Sequence, residues 1–225
     1  MRIVVTGGTG SLGRALLRRI AARGKPEIGV MFSRDEFKHA QVLEALGSPN
    51  NIRPALGDVR DLGRLMVAVR GADVVIHAAA LKRVDAVAMH ADETVKTNII
   101  GTMNVCRAAM ECGVPKVLLI SSDKAVLPTN AYGASKQMAE WVATGFNTYS
   151  VPRGTRISSI RYGNVLGSRG SVVHIWRKAM REGRPLQITD MDATRFVITM
   201  DQALDAIGEA LALMQGGEIF VPKLP

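Results

Sequence analysis

The segment SSDKAVLPTNAYGASK, residues 121–136, concentrates side chains that can move protons. It holds hydroxyl, carboxylate, phenol and amine groups, and Tyr132 and Lys136 are four residues apart at the start of a predicted helix, which places them on one face. The nearby ammonium favours phenolate over phenol and would lower the pKa of Tyr132. The pair is therefore predicted to act as a base that removes a proton from an alcohol.

A glycine-rich turn follows the first predicted strand. The stretch TGGTGSLGRALL places Gly8, Gly10 and Gly13 in G-x-G-x-x-G spacing, and Gly7 starts an overlapping G-x-x-G-x-x-G pattern. Glycine permits a tight turn and a close approach of backbone to a pyrophosphate at a helix N-terminus. The position between a strand and a helix favours a dinucleotide site over a plain turn. The predicted contacts in this turn are Gly7, Gly10, Ser11, Leu12 and Gly13.

The end of the second predicted strand bears on which dinucleotide binds. The run IGVMFS ends in Ser33 followed by Arg34, where an acidic residue would hold a ribose 2′-hydroxyl. Serine and arginine can instead bind a 2′-phosphate, so NADP is preferred over NAD. The alternative is that Asp35 or Glu36 binds the ribose and that Arg34 is a surface residue.

Further cofactor contacts are expected after the next two strands. Asp58, in LGDVRD, either accepts a hydrogen bond from the adenine amino group or serves as an N-cap or turn aspartate. The other predicted contacts at these strand ends are Val59, Ala78 and Ala79.

Strand-like and helix-like segments alternate along the chain. Helical patterns such as SLGRALLRRIAAR separate short apolar runs, namely RIVVTG, IGVMFS, DVVIHAAA, KVLLISS, RISSIRYG and EIFVP. Such runs are typical of strands buried on both faces of a parallel sheet. Residues 1–225 are therefore predicted to form one α/β domain with a doubly wound parallel sheet, the Rossmann fold.

Residues 163–195 interrupt this alternation. After Gly163 the segment has three further glycines, one proline and one amphipathic helical pattern, and we expect it to begin a small substrate lobe. Asn164, Arg169 and Arg195 are candidate contacts of a sugar or diphosphate, because arginine binds phosphate bidentately. Each arginine could equally be a surface residue.

Composition excludes several classes of protein. A chain of 225 residues that is 47% apolar and 22% charged fits a soluble domain with a full core. The formal charge of +9 suits an anionic ligand, but the basic residues are scattered, so no nucleic-acid site is expected.

Only Cys106 and Cys112 occur, and His77 and His174 have no ligand pattern, so neither a disulfide framework nor a metal site is expected. Without a signal-like start or a run of roughly 20 apolar residues, a cytoplasmic protein with no membrane partner is predicted.

Ordered motifs along essentially the whole chain resemble one family. The segments TGGTGSLG and YGASK, with a serine at position 122, resemble the extended short-chain dehydrogenases/reductases. Other segments narrow the resemblance to the polysaccharide-biosynthesis nucleotide-sugar dehydratases, above all the inverting UDP-N-acetylglucosamine 4,6-dehydratases: HAAALKRVD, TNIIGTMNV, RYGNVLGSRGSVV, ITDMDATRF and GGEIFVPKLP. The resemblance implies an NADP-dependent hydro-lyase that acts on a UDP-sugar.

The resemblance also implies roles for the opening segment. Tyr132, aided by Lys136 and Ser122, would deprotonate the sugar 4-hydroxyl while C4 gives hydride to NADP. Lys124 would then act as base at C5 of the 4-keto sugar, and Asp123 as acid on the departing 6-hydroxyl. Water is eliminated across C5 and C6, hydride returns to C6, and C5 is reprotonated with inversion.

Weaker assignments follow from the same resemblance. Lys82 would contact the nicotinamide ribose or the substrate, and Asn98 resembles a helix-kinking or proton-relay asparagine, with a purely structural role left open. Relatives continue beyond GGEIFVPKLP, so the family's C-terminal part is expected to be absent from this chain. A homo-oligomer is expected by fold analogy alone.

Rival functions differ in the residues that they need. A 4-epimerase uses Ser122, Tyr132 and Lys136 but has no use for Asp123 and Lys124. A 5,6-dehydratase, which returns hydride to C4, stays open, as does a non-catalytic NADP-binding protein.

Overall fold

The computed structural model describes residues 1–168, 171–186, 188 and 190–224. The strands are β1 (Arg2–Thr6), β2 (Ile28–Ser33), β3 (Ile52–Leu56), β4 (Val74–His77), β5 (Lys116–Ile120), β6 (Arg156–Ile160), β7 (Asn164–Val165), β8 (Val197–Ile198) and β9 (Ile219–Phe220). The helices are α1 (Ser11–Arg23), α2 (Glu36–Ala45), α3 (Leu62–Val69), α4 (Val84–Met89), α5 (Ala91–Thr94), α6 (Gly101–Glu111), α7 (Ala131–Ser150), α8 (Val172–Arg181) and α9 (Met200–Leu213). Short 3₁₀ turns cover Asp123–Ala125 and Val151–Arg153, and Val95–Ile100 forms a π-helical turn.

The main sheet has the strand order β3-β2-β1-β4-β5-β6-β9, and its pairings are parallel. In its register, Val4 of β1 lies opposite Val30 of β2 and Val75 of β4. The strand order reverses direction between β1 and β4, which opens a crevice at the carboxyl ends of these strands. The predicted doubly wound α/β fold is confirmed.

Two apolar cores cover the two faces of the sheet. Alternate side chains of one strand go to opposite faces, so Ile3 and Val5 join one core while Val4 joins the other. Leucines and isoleucines of α1 and α9 fill the first core, and small apolar residues of α3, α6 and α7 fill the second. Because both faces are buried, the central strands β1, β4 and β5 are largely continuous apolar runs.

The stretch from Asp92 to Met110, whose apolar stripe in the sequence predicts a helix, does not form one continuous α-helix. The π-helical turn lies between α5 and α6, and the turn contains Asn98, whose side chain is 2% exposed. A π-helical turn inserted into a helix is a frequent feature of functional sites.

Residues after β6 leave the main sheet. Asn164 pairs with Val197, and Val165 with Ile198, so that β7 and β8 form a separate parallel pair with α8 between them in sequence. The chain returns to the main sheet through α9 and β9.

Candidate active site and cofactor cleft

The carboxyl end of β5 carries the polar segment singled out in the sequence. After Ile120 the chain passes through Ser121 and Ser122 into the first 3₁₀ turn, and α7 begins at Ala131. Asn130 caps α7, since its side chain accepts a hydrogen bond from the Gly133 N–H at 2.9 Å. Strand end and helix start therefore meet at the crevice edge of the sheet.

Ser122, Tyr132 and Lys136 come together at this edge. The Lys136 side chain is 4% exposed, and its Nζ donates to the Ile120 carbonyl at 2.6 Å. Burial lowers the pKa of Lys136 to about 8. Burial also raises the pKa of Tyr132, against an opposing hydrogen bond with Ser122. Loss of hydration and the Asp123 charge thus raise the pKa of Tyr132, and the predicted lowering by Lys136 is wrong.

Asp123 and Lys124 lie beside this group and share a contact with it. The Ser122 hydroxyl donates to Asp123 Oδ1 at 2.8 Å. The Lys124 ammonium donates to the same Oδ1 at 3.1 Å and to Asn164 Oδ1 at 2.8 Å. The structure therefore joins the two predicted catalytic sets through Ser122 and brings Asn164, from β7, against Lys124.

Gly133 allows α7 to approach the 3₁₀ turn closely. A Cβ at this position would lie 2.2 Å from the Lys124 carbonyl oxygen, far inside van der Waals contact. The sequence reading did not single out Gly133, although it lies inside YGASK.

The glycine-rich turn forms the floor of a large cleft. Gly7 has φ +68°, and a Cβ there would lie 2.8 Å from both the Ala78 carbonyl oxygen and the Ala79 nitrogen. A Cβ at Gly13 would lie 2.5 Å from the Gly7 carbonyl oxygen, so this glycine lets α1 pack directly on the turn. Gly10 is the N-cap of α1 and provides no side-chain cap for the first-turn N–H groups. Ser11 and Leu12 are the first residues of α1.

The cleft has a volume of about 710 Å³ and extends from the glycine turn to the ends of β2, β3 and β4. Its lining includes Gly7, Gly10, Ser33, Arg34, Asp35, Lys38, Asp58, Val59, Ala78 and Ala79. Most of the residues predicted to contact a cofactor are therefore gathered around one cavity.

Two cationic side chains line one end of the cleft, Arg34 and Lys38. The Arg34 side chain is 53% exposed and contacts Asp58 only at 3.5 Å. Asp35 caps α2 by accepting from the Lys38 N–H at 3.0 Å and also pairs with the Lys38 ammonium. Ser33 is hydrogen-bonded to Thr9 at 3.2 Å. This end of the cleft is thus lined by Ser33, Arg34, Asp35, Glu36 and Lys38, with Asp35 and Lys38 paired with one another, so both the 2′-phosphate and the 2′-hydroxyl alternatives stay open.

Asp58 is also engaged. Arg60 donates to its Oδ2 from Nε at 2.9 Å and from Nη2 at 2.7 Å, and the Arg60 N–H binds Oδ1 at 2.9 Å. Burial by itself would raise the pKa of Asp58, but the Arg60 hydrogen bonds lower it below its ordinary value. The N-cap of α3 is Asp61 instead, so of the two structural roles considered Asp58 has that of a turn aspartate.

Asn98 connects the loop after β4 to α7 through hydrogen bonds. Its Oδ1 accepts from the Leu81 N–H at 2.8 Å, and its Nδ2 donates to the Leu81 carbonyl at 2.9 Å and to Ser135 Oγ at 3.0 Å. The Ser135 hydroxyl donates in turn to the Tyr132 carbonyl at 2.7 Å. Lys82 follows this loop and is exposed.

His77 ties the π-helical turn to β1 from inside the protein. Thr102 Oγ1 donates to the Asn98 carbonyl at 2.7 Å, so it accepts from His77 Nε2 at 3.0 Å. His77 Nδ1 then accepts from Thr6 Oγ1 at 2.7 Å. Burial lowers the pKa of His77 to about 3, with the nearby Lys136 charge adding to the effect. This imidazole is therefore neutral, with its proton on Nε2.

A second, smaller cavity of about 260 Å³ adjoins Asp123. Its lining is mainly apolar and includes Tyr162, Gly163, Phe196, Val221 and Leu224. Arg161 also lines it and forms a bidentate ion pair with Glu140. The sequence reading missed this pair, because nothing in the sequence links two residues 21 positions apart.

Of the two remaining predicted substrate contacts, Arg195 lies among the described residues and Arg169 does not. Arg195 is exposed next to Phe196, and its Nη1 donates to the neighbouring Thr194 carbonyl at 2.6 Å. Arg169 lies outside the described residues.

The part of the chain that the structure describes has neither a metal-ligating cluster nor a membrane-spanning helix. No group of three or more His, Cys, Asp or Glu side chains there is arranged to hold a metal ion. None of the helices in that part of the chain is both long and apolar enough to cross a lipid bilayer.

The sheet order, the glycine turn and the Ser122–Tyr132–Lys136 group define the chain as a Rossmann-fold short-chain dehydrogenase/reductase. Residues 3–225 match the family described as polysaccharide biosynthesis protein. The chain belongs to this family.

Several known proteins are similar to the chain over most of its length. It is 42% identical to the inverting UDP-N-acetylglucosamine 4,6-dehydratase of Campylobacter jejuni over 99% of this chain and 67% of that protein. It is 39% identical to the UDP-glucose 4-epimerase of Rickettsia conorii over 99% of this chain and 66% of that protein. The solved structure of Pen from Bacillus thuringiensis has a TM-score of 0.95 and 37% identity, covering 100% of this chain and 71% of that one. The chain spans about two thirds of the length of these curated relatives.

Proposed function

We propose that this chain forms the cofactor-binding and catalytic core of an NADP-dependent 4,6-dehydratase of UDP-N-acetylglucosamine, which makes it a hydro-lyase. One observation carries the proposal: Ser122, which lowers the pKa of Tyr132 against the effect of burial, donates its hydroxyl proton to Asp123, and Asp123 is paired with Lys124. An acid–base set for alcohol oxidation and a carboxylate–amine pair for elimination are thereby held against one another. The likeness to a named 4,6-dehydratase supports the same reaction.

The cleft fits a dinucleotide. Gly7 and Gly13 leave no room for a side chain where backbone must approach a pyrophosphate, and the first turn of α1 faces the same place. At the other end Ser33, Arg34 and Lys38 suit a 2′-phosphate, which supports NADP over NAD. Bound NADP would supply a reversible carrier for the hydride that leaves C4 of the sugar and returns to C6.

The protein residues would handle the protons. Tyr132 would take the proton of the 4-hydroxyl, with Ser122 holding the oxygen and Lys136 adding positive charge from behind. Once the proton of the Lys124 ammonium has passed to Asp123 across their contact, Lys124 would remove the C5 proton, which the 4-keto group acidifies, while Asp123 protonates the leaving 6-hydroxyl. Their 3.1 Å separation places the base and the acid together, as an elimination across adjacent carbons requires.

The substrate side is a proposal built on fewer contacts. We propose that residues 163–195 begin the substrate lobe and that Lys82, Asn164, Arg169 and Arg195 contact the UDP-sugar. Asn164 has the best support of these, because it already binds Lys124 at 2.8 Å.

Proton NMR of UDP-N-acetylglucosamine, incubated with the chain and a trace of NADP in deuterated water, tests the reaction. We expect a new C6 methyl signal, a 4-keto product, deuterium at C5 and no net NADPH. An unchanged sugar spectrum with NADP demonstrably bound would contradict the proposal.

Variants separate the two halves of the mechanism. Asp123→Asn and Lys124→Ala should abolish methyl formation while transfer of deuterium from C4 of C4-deuterated UDP-N-acetylglucosamine to NADP persists, whereas Tyr132→Phe should stop both. Methyl formation at full rate in Lys124→Ala would refute the assignment of the C5 base.

A 4-epimerase is the second candidate, because a relative with 39% identity carries that name. It needs no elimination pair. Interconversion of UDP-glucose and UDP-galactose that survives in Asp123→Asn, without any methyl product from either sugar, would favour it.

A further inference from the structure

Glu140 is a carboxylate buried in α7 one turn beyond Lys136. It is 0% exposed, and its two oxygens accept from Arg161 Nε at 2.9 Å and Nη2 at 2.6 Å. Such a bidentate pair fixes both partners in orientation as well as in charge. The proposed reaction does not use either residue.

Arg161 is itself held at a defined place beside the active site. Its backbone N–H donates to the Phe220 carbonyl of β9 at 2.8 Å, and the carbonyl of the next residue, Tyr162, accepts from the Asp123 N–H at 3.1 Å. Its side chain, 22% exposed, lines the smaller cavity. The pair thus connects the interior of α7 with the strand end next to Asp123.

The spacing of Lys136 and Glu140 lets two groups, the Glu140 carboxylate and the Ile120 carbonyl, compete for the Lys136 ammonium. Two opposite charges four residues apart on a helix are natural partners, and Glu140 is close enough for its charge to raise the pKa of Lys136 against the effect of burial. Yet the Lys136 ammonium donates to the Ile120 carbonyl at 2.6 Å, at the strand end that leads to Ser122. A buried carboxylate without Arg161 would have Lys136 as its nearest cation on α7.

We infer that Arg161 is a positioning residue: by occupying both oxygens of Glu140, it prevents this carboxylate from capturing Lys136 and leaves the ammonium at the Ile120 carbonyl, on the side of the active site. Arg161 acts through Glu140 and touches no reacting group. The charge state of Lys136 is therefore set by a pair that reaches the smaller cavity. The catalytic consequence rests on the proposed function, but the placement of Lys136 does not.

Other titratable groups surround Lys136. Its own helix contributes Tyr132 and Glu140, β4 contributes the neutral His77, the 3₁₀ turn contributes Asp123 and Lys124, and Tyr162 follows β6. Tyr162 stays a neutral phenol because burial raises its pKa. Of these, Glu140 is the group whose charge Arg161 compensates directly.

The test is a pH titration of the free chain with ¹³Cε-labelled lysine, followed by NMR, in which Lys136→Met identifies the Lys136 signal. We expect a midpoint near pH 8 in the wild type. Arg161→Gln should raise that midpoint by about one pH unit or more, since an uncompensated carboxylate then faces the ammonium. Glu140→Gln should lower the midpoint. The double variant, Glu140→Gln with Arg161→Gln, should not show the increase expected for Arg161→Gln alone.

Arg19→Gln is the matched control. Arg19 forms a single contact with Asp205 at 2.6 Å between α1 and α9, so the variant loses the same charge away from α7 and should leave the midpoint in place. An unchanged midpoint in Arg161→Gln, or an increase that persists in the double variant, would overturn the inference. If Arg161→Gln fails to fold, Glu140→Gln decides alone, because an unchanged midpoint there shows that Lys136 does not sense this carboxylate. The titration needs neither cofactor nor turnover, so its result does not depend on whether the chain catalyses the proposed reaction.

Discussion

At the scale of single residues, burial governs the protonation of the active-site groups more than neighbouring charge does. The sequence places Tyr132 and Lys136 on one helix face, which predicts a tyrosine with a lowered pKa. The folded chain raises that pKa instead, because the phenol loses hydration. Spacing in a sequence reveals which groups meet, but the depth at which they meet is a property of the packed structure.

Arg34 should discriminate between the two dinucleotides. Arg34→Ala should weaken NADP binding by roughly 10- to 100-fold, the value of a charge-assisted hydrogen bond, and change NAD binding far less. Arg53→Ala, at an exposed position on β3, is the control and should leave both affinities unchanged. Calorimetric titration with each dinucleotide gives the comparison, and equal losses for the two would show that Arg34 does not meet the 2′-phosphate.

His77 should make the fold sensitive to acid. Its folded pKa of about 3 lies below the usual 6.5, so between these values the unfolded chain binds a proton that the folded chain does not. The free energy of unfolding should therefore fall as the pH drops from 6.5 towards 3, by up to about 1.4 kcal/mol per pH unit from this group. Urea denaturation at several pH values across that range should show that the free energy of unfolding depends less steeply on pH in His77→Gln. The exposed residue His174, replaced in the same way, should keep the wild-type slope.

At the scale of elements, the start of α7 and the 3₁₀ turn Asp123–Ala125 must touch for the two predicted catalytic sets to meet. The contact is backbone against backbone, at Gly133 and the Lys124 carbonyl. The alternation of strands and helices, and the helices α1 and α9, could be predicted because they depend on local apolar periodicity. The π-helical turn and the Gly133 contact could not, since they depend on how separate elements pack against one another in the folded chain.

Gly133→Ala should separate the two sets. The added methyl would lie 2.2 Å from the Lys124 carbonyl, so α7 must shift, at a cost of roughly 1–3 kcal/mol in the free energy of unfolding. Turnover should fall while the dinucleotide affinity changes little. Denaturant melts and activity at saturating substrate measure the two effects.

The same helix supplies the control. A Cβ at Gly145 meets nothing within 4 Å, so Gly145→Ala should stabilise the chain by up to about 1 kcal/mol with unchanged turnover. Equal turnover in Gly133→Ala and Gly145→Ala would mean that the close approach has no catalytic role.

At the scale of the whole molecule, the formal charge of +9 comes from basic residues spread over many elements. Some are already paired, as Arg19 with Asp205 and Arg60 with Asp58 and Glu93. The part of the charge that remains uncompensated attracts anions at long range, which favours a phosphorylated ligand without specifying one. Charge alone could therefore predict the class of ligand, while Arg34 and Lys38 in the cleft could be linked to one phosphate only after folding.

The long-range part of this attraction should make the affinity for dinucleotides depend on the salt concentration. The dissociation constant of NADP should rise several-fold between about 0.05 M and about 0.3 M NaCl, since the screening length falls over this range. That of NAD, which carries less charge, should rise less. Identical salt slopes for the two dinucleotides would indicate that the overall field contributes nothing to choosing between them.

The Asn98 amide bears on the thermodynamics of ligand binding. It satisfies the N–H and the carbonyl of Leu81 at 2.8 and 2.9 Å, much as a neighbouring strand would. The loop after β4 therefore loses its conformational entropy when the chain folds, not when a cofactor arrives. A preorganised wall of this kind lets more of the contact free energy appear as affinity.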